Sequence, residues 1–208
     1  MNFLEKYGLK IILILFLTYS YSITAETKKL LILGDSISAG YGIKESENWV
    51  TLLELTLKKE NFDIEIINSS VSGDTTIGGL SRIKNDLDQY SPDLVLIELG
   101  GNDALRGYPI KQIKSNLNKI IFECIKRGSI PLIMQIKIPP NYGKYYVQAF
   151  ERMYPEIAEE NNLKLLSFLL QEVALKKDLM QLDGIHPNAK AQPVIANQIR
   201  QELLDVLK

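Results

Sequence analysis

Along the chain, short unbroken apolar runs alternate with longer stretches in which apolar residues recur at helical spacing. Leu30, Leu31, Ile32 and Leu33 form the first run, cut off by Gly34. A run of this kind fits a strand buried on both faces of a sheet. Similar segments at 64–68, 94–99 and 130–135 predict further strands, with Pro131 near the start of the last, and 163–166 a short fifth one. Helical patterning predicts helices over Trp49–Lys59, 75–90, 109–127 and much of 145–161. A closing helix is expected over 187–207, with Pro193 disturbing its first turns. Strands alternating with helices predict an α/β fold whose parallel sheet is covered on both faces.

The N-terminus breaks this rhythm. Lys6 and Lys10 precede or open an apolar run at 11–17, and Ala25 closes a small-residue site, although Ile23 is bulkier than such sites prefer. Residues 1–25 therefore read as a secretory signal peptide, with an uncleaved anchor as the alternative. The run is short for a membrane-spanning helix. The 208-residue chain without those 25 residues leaves 183, the size of one domain with a substantial core, over 26–208. The expected location is periplasmic or secreted. Removing Glu5, Lys6 and Lys10 with the signal takes the net charge from −1 to −2, which offers nucleic acid no attraction. Cys124 is the only cysteine, so no internal disulfide is possible.

The candidate chemistry lies just past the strand ends. Ser36 follows the first strand, between Gly34 and Gly40, where open α/β sheets place their ligands. A serine hydroxyl needs a base to become a nucleophile. The chain has one histidine, His186, three residues after Asp183, close enough to hold the imidazole in one tautomer across a tight turn. Gly73, after the second strand, lets the backbone approach a ligand. Asn102, after the third, carries a neutral donor able to stabilise an oxyanion. Taken singly, each has a plainer reading: a helix-capping or turn serine, a structural histidine, ordinary turn residues. Together they bring nucleophile, base, orienting acid and oxyanion donors to one sheet edge, the set that acyl transfer requires.

Four blocks, Gly34-Asp35-Ser36, Gly73, Gly101-Asn102-Asp103 and Asp183-Gly184-Ile185-His186, stand in the order found in the SGNH, or GDSL, hydrolases. The stretches LILGDSISAGYG, SGDTT, ELGGNDALRG, MQIKIPPNYG and DGIHPNA resemble that family's periplasmic members with thioesterase, lysophospholipase and arylesterase activity. The resemblance covers nearly all of the chain beyond residue 25. It implies a three-layer α/β sandwich of SGNH, flavodoxin-like type with a mostly parallel five-stranded sheet. It implies Ser36 as nucleophile, His186 as base, Asp183 as its partner, and an oxyanion hole of Ser36 N–H, Gly73 N–H and the Asn102 amide. Thr75, Thr76, Ile77, Gly78, Gly79 and Leu80 match a mobile specificity loop. Ile138, Pro139 and Tyr142 match a region lining the acyl chain, although such apolar residues also serve simply to close a core. The family needs no metal and no cofactor.

These readings lead to a serine esterase acting on lipid esters and thioesters through an acyl-Ser36 intermediate. The expected partner is a small acyl ester or lysophospholipid, met by a monomer in transient contact with membrane lipid. Three alternatives remain at this stage: a carbohydrate or cell-wall O-deacetylase on the same fold, a non-catalytic lipid carrier, and a nucleotide-binding domain. The last is weakest, because 34–40 lacks both GxGxxG and a P-loop lysine.

Overall fold

The computed structural model describes residues 27–207, so the expected signal segment at 1–25 lies outside the described residues. Five strands, β1 (Lys28–Gly34), β2 (Ile64–Asn68), β3 (Leu94–Glu98), β4 (Ile130–Met134) and β5 (Leu165–Leu166), form one all-parallel sheet in the order β2-β1-β3-β4-β5. The longer helices are α2 (Trp49–Lys59), α3 (Thr76–Tyr90), α5 (Ile110–Lys126), α6 (Lys144–Asn161) and α7 (Gln192–Leu207), with two short ones, α1 (Ser36–Ala39) and α4 (Gly101–Leu105). Helix α2 packs on α7, while α3 packs on α5 and α5 on α6. This is the α/β architecture that the alternating pattern predicts. The central strands carry no polar alternation because both their faces are covered: Leu30–Leu33 and Val95–Ile97 are all 0% exposed.

The chain leaves β1 toward β2 on one side and returns to β3 on the other. The order therefore reverses between β1 and β3, and the crevice beyond their carboxyl ends is where such sheets bind ligands.

Two prolines sit inside regular elements, each where its missing N–H does no harm. In β4, Ile133 N–H donates toward β5, to Lys164 O. Pro131, two residues earlier, faces the same side before β5 begins, so no ladder bond is lost. In α6, Pro155 cannot bond to the carbonyl of Glu151, and the Gln135 side chain donates to that oxygen instead, at 3.1 Å.

Several sequence expectations need correction. The closing helix begins at Gln192 and not at 187, because Pro187 makes an antiparallel bridge with Met180 and the turn at Asn188 intervenes. Pro193 is then a first-turn residue, where a proline is tolerated, and it disturbs nothing. The fifth strand is only two residues long. Helix α4, after β3, is not anticipated by the pattern at all; its five residues are too few to show a period. The segment 75–80, which the residue pattern places in a helix and the resemblance matches to a mobile loop, is the start of α3: Thr75 caps the helix and 76–80 are helical. Gly79 is packed so tightly that an added Cβ would come within 2.3 Å of the Leu99 side chain. That glycine serves close packing and not flexibility.

Candidate active site

Ser36 opens α1 immediately after β1, so its side chain stands at the carboxyl edge of the sheet. The short helix is secured at both ends. Asp35 is its N-cap and accepts the Ile37 N–H at 3.0 Å. Ser38 O accepts two side-chain amides, from Asn48 at 3.0 Å and Asn68 at 2.8 Å. The Ser36 N–H, first in the helix, has no intrahelical partner of its own.

His186 reaches Ser36 from 150 residues away: its Nε2 lies 2.9 Å from Ser36 Oγ. Its Nδ1 lies 2.7 Å from Asp183 Oδ2. The other Asp183 oxygen accepts the backbone N–H groups of Ile185, at 2.9 Å, and His186, at 3.0 Å. These bonds, together with the imidazole, hold the Asp183 carboxyl down to about 2. A carboxylate beside Nδ1 favours the tautomer that carries its proton there, leaving Nε2 as the acceptor facing Ser36. The loop is pinned by the Met180–Pro187 bridge and by Gln181, whose backbone N–H donates to His186 O at 2.8 Å and whose side chain donates to Tyr41 O at 2.8 Å. The Tyr41 ring lies 4.6 Å from the imidazole, centre to centre.

The two loops expected to carry oxyanion donors are also built from identifiable bonds. Gly73 has a φ of +78°, and its segment is anchored to the end of β1 by Val71 N–H donating to Gly34 O at 3.1 Å. Arg106, at the end of α4, donates to Gly73 O at 3.0 Å. Asn102 is placed by Gly100, whose φ of +117° turns the chain from β3 into α4; a Cβ there would meet the Tyr154 hydroxyl at 2.3 Å. Tyr154 Oη in turn donates to Leu99 O at 3.0 Å. Asn102 Nδ2 donates to Asp35 Oδ2 at 3.1 Å. Asp103, 1% exposed, binds the start of α3, accepting Thr76 N–H at 2.8 Å and Thr76 Oγ1–H at 2.6 Å. Asn116 donates to the same Thr76 oxygen at 3.0 Å.

Ser36, His186 and Asp183 thus form one hydrogen-bonded chain, and Asn102 is bonded to Asp35, the residue before Ser36. Of the residues expected to touch substrate, Thr75 and Thr76 are buried, Gly79 is packed into the core, Gly78 and Leu80 are half-buried, and Ile77 is exposed. Ile138 is buried with the core, whereas Pro139 and Tyr142 are exposed. Sequence reasoning singled out neither Asp35 nor Glu98. Asp35 had one available signal, an Asp at the boundary of a strand and a helix, where N-caps concentrate. Glu98, at the end of an apolar strand, had none beyond its oddity. Among the described residues, no group of three or more His, Cys, Asp or Glu side chains is arranged to hold a metal ion.

Residues 32–192 match the GDSL-like Lipase/Acylhydrolase family. The chain is 47% identical to an arylesterase of Vibrio mimicus over 192 residues, 92% of this chain and 96% of that protein. It is 42% identical over 205 residues to thioesterase 1/protease 1/lysophospholipase L1 of Escherichia coli K12, covering 98% and 96% of the two. The crystal structure of the psychrotrophic esterase EstA from Pseudoalteromonas sp., inhibited by monoethylphosphonate, superposes with a TM-score of 0.85 at 42% identity, covering 86% of this chain and 98% of EstA. With a family match across most of its length and relatives of this identity over nearly their whole chains, the protein belongs to the GDSL-like lipase/acylhydrolase family.

Proposed function

We propose that this chain is a serine esterase that hydrolyses carboxylic esters and thioesters through an acyl-Ser36 intermediate. The observation that carries the reading is the unbroken chain from Ser36 Oγ through His186 to Asp183. His186 Nε2 takes the hydroxyl proton as Ser36 Oγ attacks the carbonyl carbon. The tetrahedral oxyanion is met by the N–H groups of Ser36 and Gly73 and by the Asn102 amide. His186 then gives its proton to the leaving alcohol or thiol as the bond to it breaks. A water, deprotonated by His186, attacks the acyl-Ser36 carbonyl; acid is released and Ser36 regains its proton. Asp183 holds the imidazole and stabilises its charged form without taking the proton.

Lysophospholipids and related lipid esters are the proposed substrates. Exposed apolar side chains support this: Ile77 is 50% and Tyr142 38% exposed, beside an exposed Pro139. The arylesterase and the thioesterase/lysophospholipase relatives support the same range of leaving groups. Export through the 1–25 signal would set the enzyme among membrane-derived lipids and away from cytoplasmic acyl-CoA. The test is hydrolysis of p-nitrophenyl esters from acetyl to palmitoyl, beside a lysophospholipid and an acyl-CoA. Turnover should extend to the longer chains and the lysophospholipid, and Ser36→Ala should abolish it with the thermal midpoint nearly unchanged. Activity confined to acetyl esters, or surviving in a folded Ser36→Ala protein, would overturn the proposal.

A further inference from the structure

A primary amide can present either its oxygen or its nitrogen to a given point, so Asn102 works as an oxyanion donor only if something decides which end faces the substrate. Asp35 is the carboxylate hydrogen-bonded to that amide among the described residues: its Oδ2 accepts from Asn102 Nδ2 at 3.1 Å. A carboxylate accepts hydrogen bonds and donates none. The flipped amide, with its carbonyl oxygen against Asp35, is therefore repelled, and the second Nδ2 hydrogen is left for another acceptor. Asp35 is itself locked. Its Oδ1 accepts Ile37 N–H, and its backbone N–H donates to Glu98 Oε2 at 3.3 Å, an oxygen that also accepts Ser38 Oγ–H at 2.7 Å. The two acids are only 6% and 3% exposed. Gly34 is pressed against the same carboxyl, since a Cβ there would meet Glu98 Oε2 at 2.6 Å. Burial pushes Asp35 up to about 6, leaving it ionised at neutral pH, and pushes Glu98 well above the usual carboxylate range.

We infer that Asp35 is a positioning residue that fixes which end of the Asn102 carboxamide faces the reacting oxygen, and that the same side chain, by capping α1, holds that amide in register with the Ser36 N–H. The inference rests on the reading of Asn102 as an oxyanion donor. Glu98 forms the floor of the arrangement, holding the Asp35 backbone and the Ser38 hydroxyl from beneath.

The test is a pair of double-mutant cycles read with p-nitrophenyl butyrate. Asp35→Asn keeps an oxygen for Ile37 but places no obligatory acceptor before Asn102. Asp35→Ser keeps a cap of good propensity and is too short to reach Asn102. Each should lower kcat by about 10- to 100-fold with KM within about threefold of normal. In an Asn102→Ala background, where no amide remains to be oriented, each should cost less than about threefold, because the two changes act through one group. The inference is overturned if the Asp35 changes cost as much with Asn102 absent as with it present, if both folded variants keep normal kcat, or if neither variant folds. Normal kcat in Asn102→Ala alone would remove the oxyanion reading, and this inference with it. A large loss in Asn102→Ala without coupling to Asp35 would remove the inference alone.

Discussion

His186 is the chain's only histidine, so an inflection in the pH–rate profile that survives Asp35→Asn, which removes the carboxyl held up to about 6, belongs to its imidazole. The rate constant kcat/KM should rise with pH as His186 loses its proton and then level. Asp183, held down to about 2, should add no inflection above about pH 3. A flat profile from mildly acidic to mildly alkaline pH, with chemistry limiting, would remove His186 from the mechanism. Asp183→Asn preserves the shape of the side chain but stabilises the wrong tautomer, and should lower kcat by about 10⁴-fold, as the equivalent change does in other triads. Asn102→Ala should lower kcat by about 10²–10³-fold with little change in KM, since the amide meets charge that exists only in the transition state. A raised KM with kcat intact would make Asn102 a residue that only shapes its loop.

The groups proposed for catalysis come from separate elements, and the bonds between those elements decide how well the groups stay together. Thr76, first residue of α3, is joined to Asp103 on α4 by two hydrogen bonds and to Asn116 on α5 by a third. Thr76→Val keeps the shape and deletes the hydroxyl, leaving the Asp103 carboxyl and the Asn116 amide each short of a buried partner. The expected cost is about 1–3 kcal/mol in chemical unfolding. An unchanged midpoint would show that the three helices are held by packing alone. Ile77, on the next position of α3, points outward and is free of that network. Ile77→Ala should shift the ester chain-length profile, at up to about 1–3 kcal/mol per methylene lost from contact, and leave acetyl ester turnover alone. An unshifted profile across the panel would place Ile77 outside the acyl site. Elements with an unbroken or strongly periodic pattern, such as β1, β3 and α5, were readable from the residues. Helix α4 was not, because its five residues are too few to carry a period, and the pattern places the fifth strand at 163–166 without holding it to its two residues. Helix α3 was also readable over 75–90 despite its two adjacent glycines, and Gly79 is there because Leu99 presses on it. That Ser36, Asp183 and His186 would meet was legible because the chemistry proposed for them admits few residue types. Asp35 was overshadowed by the serine beside it.

At the scale of the whole molecule, the reversal of strand order between β1 and β3 brings Ser36 and Asn102 to one crevice, and burying carboxyls beneath that crevice costs stability. Asp35 titrates at about 6 and not at the ordinary 3.8, chiefly because burial penalises its charge. Between those values the folded protein holds a proton at this site that the unfolded chain has released. Stability therefore falls as pH rises through that window, the reverse of the usual salt-bridged carboxylate. Glu98, pushed well above its usual range by the same burial, adds a slope of the same sign, which the unmodified protein and an Asp35 variant both carry. Asp35→Asn has no proton to lose at this position. Measured by urea unfolding at a series of pH values, its stability relative to the unmodified protein should move in its favour by up to about 3 kcal/mol from about pH 4 to about pH 7. Any loss from the altered helix cap is the same at every pH and only offsets the two curves. Parallel curves would mean that Asp35 ionises in the folded protein as easily as in the unfolded chain. The crevice floor would then be wetter than its 6% exposure implies.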